Sequence, residues 1–142
     1  AKLGLIGKGD EKTMSFYQEK IEEYGLSEHI KMLGFLPDNE VYNLLSTTRF
    51  MIFPSHEEGY GMAVAEALAN GCRVLSYDLH VFKKEFGDSI VRVPCYNLEI
   101  FAEKVIKYLE CSKEENIKPQ SIRTWEQASI EEFEIITNQF ST

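Results

Sequence analysis

Four short runs rich in apolar residues, Lys2 to Ile6, His29 to Phe35, Arg49 to Phe53 and Arg73 to Tyr77, recur with helix-like segments between them, and nothing else in the sequence limits the fold so strongly. Runs this short suit strands buried on both faces rather than helices. Strands that alternate with helical patterns pair in parallel, because a parallel connection needs a crossover long enough to hold a helix. The expectation is an α/β chain: a Rossmann-like, doubly wound parallel sheet covered by helices on both faces. At 142 residues it reads as one domain, large enough to bury a core.

Taken in order, Gly7-Lys8-Gly9-Asp10 turns the chain after the first strand, and Glu11 to Tyr24 carries Met14, Tyr17, Ile21 and Tyr24 at helical spacing before Gly25. Gly34-Phe35-Leu36-Pro37 closes the second strand, and Asp38 is placed as the cap of a short helix to about Leu45. Asn70-Gly71 supplies a helix C-cap before the fourth strand. Asp78 to Phe86 reads as a loop with a short helix, and Ser89 to Val93 as an edge strand. Leu98 to Leu109 presents Phe101, Val105, Ile106 and Leu109 to the sheet. Cys111 to Pro119 has linker composition, and Ser121 to Phe140 is a helical tail with Trp125, Ala128, Phe133 and Ile136 as contacts. The turns at Gly7, Gly34 and Glu58 all follow strands, so in an open α/β sheet they can line one crevice.

The chemistry concentrates between Phe53 and Ala69, where an apolar strand passes through a glycine-bearing turn into an alanine-rich helix. The first N–H groups of a helix lack intrahelical partners and sit at the positive end of its dipole, so an anion such as phosphate settles there. Gly59 and Gly61 let the backbone approach a ligand closely. Glu58 lies in the turn, and Glu66 lies roughly 7.5 Å along the helix at ~1.5 Å per residue, with its side chain leaning back toward the mouth. Carboxylates only accept hydrogen bonds, so their natural partners are hydroxyls. A diphosphate between two hydroxyl-rich ends, as in a sugar nucleotide, satisfies amides and acids together.

A formal charge of −8 argues against nucleic acid or an anionic membrane as partner. Local helix-end dipoles can still hold a diphosphate, because distant surface charge is screened beyond ~10 Å. Cys72, Cys95 and Cys111 lack zinc-like spacing and read as reduced thiols, which with the lack of a signal-like start gives a cytoplasmic expectation. No Asp-x-Asp occurs, and His29, His56 and His80 form no metal or triad spacing and read as surface residues, so no metal or other cofactor is expected. The chain starts without Met, directly in a strand, and reads as a fragment of something longer.

The pattern Pro54-Ser55-x-x-Glu58-Gly59-Tyr60-Gly61-Met62-x-x-x-Glu66-Ala67-x-Ala69-x-Gly71 resembles the E-x7-E signature in the C-terminal domain of retaining GT-B glycosyltransferases, the group that includes many sugar transferases of capsule, lipopolysaccharide and glycolipid synthesis. Gly7-x-Gly9, the Gly34 to Asp38 turn and Ser121 to Trp125 are similar to their counterparts there, so the resemblance spans nearly the whole chain. It implies half of a GT-B fold, with 121–142 as a C-terminal crossover helix and with a first strand and an Arg/Lys segment missing upstream.

The resemblance implies further that Glu66 binds ribose hydroxyls and that Glu58, as the catalytic-site acid, contacts the donor hexose without acting as a covalent nucleophile. Gly59, Tyr60, Gly61 and Met62 then surround sugar and distal phosphate. Phe35 or Leu36 holds the base through main-chain atoms, and Gly7 and Gly9 edge the phosphate pocket. The implied reaction is retaining transfer of a hexosyl group to an acceptor glycan or lipid-linked sugar, with the acceptor side on a missing N-terminal domain and the isolated fragment inactive. Two departures stand out: Arg73 where the family often has proline, and Asp78-Leu79-His80 where Gly-Gly is frequent. A sugar-nucleotide epimerase of the same shape and a non-catalytic nucleotide-sugar-binding module remain as alternatives. A dehydrogenase fits poorly because Gly7-x-Gly9 lacks its third glycine, and a P-loop because Lys8 precedes Gly9 rather than Ser or Thr.

Overall fold

The computed structural model describes residues 1–110 and, in the tail, residues 126, 127, 129, 130, 133, 134 and 137. Strands and helices alternate as the apolar runs require: β1 (Leu3–Ile6), α1 (Glu11–Glu23), β2 (Ile30–Gly34), α2 (Asp38–Thr47), β3 (Phe50–Phe53), α3 (Met62–Ala69), β4 (Arg73–Tyr77), α4 (His80–Phe86), a 3-10 turn (Gly87–Ser89), β5 (Val91–Val93) and α5 (Leu98–Glu110). Every strand pairing is parallel. The described strands do not make one continuous sheet, however: β1 pairs with β2, and β3, β4 and β5 form a second sheet in that order.

The β3–β4–β5 sheet is wound on both faces, and side-chain alternation in its strands sorts the core into two layers. Met51, Phe53 and Val74 join Leu45, Val64, Leu68, Phe82 and Phe86 beneath α2, α3 and α4. Ile52, Leu75, Tyr77 and Val93 face Phe101 of α5 on the other side. Val64, Leu75 and Phe82 are completely buried. Removing a ring such as Phe82 costs about 3–5 kcal/mol. The buried Ser76 hydroxyl donates to the Tyr77 carbonyl at 3.1 Å, so the one buried polar side chain among the described residues is satisfied.

Several expectations change at this level. Asp38 does not cap α2; Pro37 holds the extended N-cap conformation and Asp38 is the first helical residue, adding charge rather than a capping bond. Side-chain caps lie instead on α5, where Asn97 Oδ1 accepts from the Ile100 N–H at 3.0 Å, and on α1, where Asp10 Oδ1 accepts from the Thr13 N–H at 2.8 Å, a bond that lowers the Asp10 pKa. Of the four residues expected to pack α1, only Ile21 is buried, while Tyr17 and Tyr24 stay exposed, because the β1–β2 pair offers a narrow surface and contributes nothing to either core layer. On α5 the inward stripe is Phe101, Val105 and Tyr108, an i, i+4, i+7 series that leaves Ile106 and Leu109 exposed. Phe133, expected as a tail contact, is exposed too. The described tail residues are helical. The linker 111–119, Cys111, Trp125, Ala128 and Ile136 lie outside the described residues.

The helix C-cap is as expected, with Asn70 closing α3 and Gly71 in the left-handed region at φ 73°. Arg73 lies over the Tyr108 ring at 5.0 Å, fixing β4 to α5. Asp78 pairs with Arg92 Nε at 3.0 Å; Arg92 also donates to the Gly87 carbonyl and approaches Asp88 at 3.8 Å. Polar bridges therefore hold the two positions that depart from the family pattern.

Candidate functional site

The loop from Pro54 to Gly61 leaves the carboxyl end of β3 and delivers the chain into α3 with no residue to spare. Gly61 is the N-cap, in the left-handed conformation at φ 95°, and a Cβ on it would stand 2.5 Å from Phe82 Cε1. Only glycine meets both demands. Its carbonyl accepts from the Val64 and Ala65 N–H groups at 2.9 and 3.0 Å. No side chain caps the helix, and no acceptor in the described residues takes the N–H of Gly61, Met62 or Ala63. Three consecutive amides at the positive end of α3 thus have no acceptor among the described residues; Gly61 itself is buried, Ala63 is half-buried and Met62 is exposed.

The alanine-rich composition of α3 lets the helix sink onto the sheet: Val64, Ala65, Ala67 and Leu68 are buried. Met62, Glu66 and Ala69 make up the exposed face, with Met62 63% accessible, so Glu66 stands one turn behind the unpartnered amides. Glu58 is half-buried in the loop. Gly59 has nothing within 4 Å of the position a Cβ would take. Tyr60 turns its ring inward onto Phe86, with centroids 5.6 Å apart, so this side chain serves the core.

Sequence reasoning overlooked two neighbours of these groups. Tyr42 on α2 has its hydroxyl pKa raised, first by the negative charge of Glu66, then by desolvation and by Asp38, so Glu66 has Tyr42 as a charge-sensitive neighbour. His56, read as an ordinary surface residue, is exposed yet stacks between Tyr77 and Tyr96 at 4.8 and 4.2 Å. An aromatic two residues before Glu58 was the only available signal.

Gly7 and Gly34, both with positive φ, meet at the other sheet, where the Gly7 N–H donates to the Gly34 carbonyl at 2.8 Å. Lys8 Nζ lies 4.8 Å from the centroid of Phe35, whose ring is 67% exposed. Gly9 sits against Thr13 and Met14, and Leu36 is half-buried. The predicted residues therefore fall into two groups. One is Gly7, Gly9, Phe35 and Leu36; the other is Glu58, Gly59, Tyr60, Gly61, Met62 and Glu66. Among the described residues no hydrogen bond, ion pair or ring contact joins them.

No group of three or more His, Cys, Asp or Glu in the described residues could hold a metal ion. No helix among them is long and apolar enough to cross a membrane.

The family model for glycosyl transferases group 1 matches residues 1–124. The chain is 29% identical over 115 residues to a poly(glycerol-phosphate) alpha-glucosyltransferase of Bacillus subtilis, covering 78% of this chain and 16% of that enzyme. It is 30% identical over 60 residues to the O-antigen chain mannosyltransferase B of Escherichia coli, covering 42% of this chain and 16% of that one. Among solved structures, Anabaena Alr3699/HepE in complex with UDP-glucose superposes with a TM-score of 0.67 at 20% identity, over 77% of this chain and 31% of that one. WaaG, a glycosyltransferase involved in lipopolysaccharide biosynthesis, does so with a TM-score of 0.62 at 19% identity, over 78% and 29%. The fold is thus that of GT-B glycosyltransferases, and the chain spans less than a third of these proteins.

Proposed function

The chain belongs to the glycosyl transferases group 1 family, and from that premise we propose that it is the donor-binding part of a glycosyltransferase that moves a hexosyl group, with retention, from a nucleoside diphosphate sugar to an acceptor hydroxyl. The observation that carries the reading is the row of unpartnered amides at Gly61, Met62 and Ala63, which offers fixed donors to a diphosphate in a chain whose overall charge is −8. Donors fixed before reaction stabilise the negative charge that develops on the leaving diphosphate. Glu66, on the exposed face one turn on, accepts from the ribose hydroxyls. Glu58 accepts from the hexose, and Gly59 lets the loop backbone lie against it. Tyr60, its ring committed to Phe86, contributes through its backbone. Met62 borders the sugar.

Phe35 and Leu36 take the base, and Gly7 and Gly9 border the phosphates. Such a ligand would bridge the two groups of residues. Among the described residues the two parallel sheets leave one edge of β1 and one of β3 unpaired. In this reading a segment of the intact protein outside this chain adds a parallel strand there and brings the Arg and Lys of the family pattern, while the acceptor side lies on another domain. UDP complexes among structures sharing the fold make a UDP-sugar the first donor to try.

Calorimetry of the intact protein with UDP-, GDP- and ADP-sugars tests the reading, followed by NMR of the product's anomeric configuration. Preference for one nucleotide, lost in Glu66→Ala, and a product retaining the donor's configuration are expected. No heat with any nucleotide sugar, or an inverted product, refutes the corresponding half of the proposal.

A further inference from the structure

Three rings stack outward from the core at the carboxyl ends of β3, β4 and β5. Tyr77, 2% exposed, packs edge-on against Phe101 at 5.1 Å. His56 lies over Tyr77 with centroids 4.8 Å apart and planes at 18°, and Tyr96 covers His56 at 4.2 Å and 9°. Tyr96 is 75% exposed and is the one non-glycine residue with positive φ, 62°, among those described. A side chain disfavours that conformation, which persists only where the surroundings over-determine it. Those surroundings are identifiable. The turn holding Tyr96 is closed by the Asn97 N–H on the Pro94 carbonyl at 3.3 Å and tied to α5 by the Ile100 N–H on Asn97 Oδ1 at 3.0 Å.

The same stack grips the loop that carries Glu58. At its far end, Tyr60 packs on Phe86 and the Gly61 backbone presses on Phe82. At its near end, His56 is held between Tyr77 and Tyr96. Between these anchors, Glu57, Glu58 and Gly59 have one polar contact among the described residues, the Ser55 hydroxyl donating to the Glu57 carbonyl at 3.0 Å. An exposed, strained residue that adds little to the core is poorly explained as a stability element.

We propose that Tyr96 and His56 are positioning residues, a clamp that holds the Glu57–Gly59 segment in its ligand-ready conformation before any donor arrives. The functional part of this rests on the donor-site reading above. Without the clamp the loop samples other conformations, and apparent donor affinity falls in proportion to the competent fraction.

The test uses the intact protein with Tyr96→Gly, Tyr96→Phe and His56→Ala. Tyr96→Gly removes the ring and the backbone strain together, so its melting temperature stays within about 2 °C of the parent. In ligand-free protein, hydrogen exchange at residues 57–59 should speed up in Tyr96→Gly and His56→Ala and stay at the parental rate in Tyr96→Phe. Affinity for the preferred nucleotide sugar should fall about fivefold to tenfold in the first two, return in Tyr96→Phe, and fall no further in the double variant, since both changes break one contact. Unchanged exchange in Tyr96→Gly overturns the clamp, as does a Tyr96→Phe variant as impaired as Tyr96→Gly. Faster exchange in a protein whose parent binds no nucleotide sugar supports the clamp and refutes the donor site.

Discussion

Substituting alanine at Gly59 or at Gly61, two residues apart, should damage different properties. At Gly61 the backbone is at φ 95° and the added Cβ falls 2.5 Å from Phe82 Cε1, on a ring with no exposed surface to retreat into. The left-handed conformation costs a side chain about 1–2 kcal/mol and overpacking a full core about 1–3, so Gly61→Ala should lose about 2–5 kcal/mol. At Gly59 nothing lies within 4 Å and φ is not in the left-handed region. Gly59→Ala should therefore change stability by no more than about 0.5 kcal/mol. If the loop backbone lies against a bound sugar phosphate, the same methyl should still weaken donor binding by on the order of tenfold, about 1.4 kcal/mol. Denaturant midpoints and donor calorimetry on both variants decide it, and Phe82→Leu in the Gly61→Ala background should recover part of the steric cost but none of the backbone cost. A Gly61→Ala loss below about 1 kcal/mol would show that the packing of α3 on α4 is looser than the 2.5 Å approach requires. Parental affinity in Gly59→Ala would remove the ligand from this loop.

Glu66→Ala should abolish donor binding while leaving the fold intact, because the side chain is exposed; since Glu66 is the main cause of the raised Tyr42 pKa, phenolate absorbance in this variant should titrate at lower pH than in the parent. Burial pushes the Cys72 thiol up to about 11, and the residue is 2% accessible, so thiol reagents at pH 8 should label the half-buried Cys95 before Cys72. The unfolded chain releases the Cys72 proton near pH 9 while the folded one keeps it, so this contribution to stability is intact below pH 9 and drains away toward pH 11, readable as a falling denaturant midpoint. Comparing this chain with the intact protein by hydrogen exchange should show β1 and β3 amides better protected in the latter; equal protection would contradict a strand added between them.

Local signals in the sequence determined the element order, the parallel pairing and the glycine-bearing turn into α3, because apolar run length, helical periodicity and turn chemistry act over a few residues. The turn and helix that carry Glu58 and Glu66 were legible for the same reason: a loop and the helix it enters hold their own geometry. Tertiary contacts decided the rest. Tyr17, Tyr24, Ile106 and Leu109 have the periodicity of buried residues but are exposed, since burial depends on what surface lies opposite and the pattern does not encode that. Phe82 makes Gly61 obligatory from across the core, Glu66 acquires Tyr42 as a neighbour from another helix, and His56 meets Tyr77 and Tyr96 from two other strand ends. Each of these joins segments about 20 or more residues apart in the chain, and only the packing of α2, α4 and α5 on the sheet brings them together.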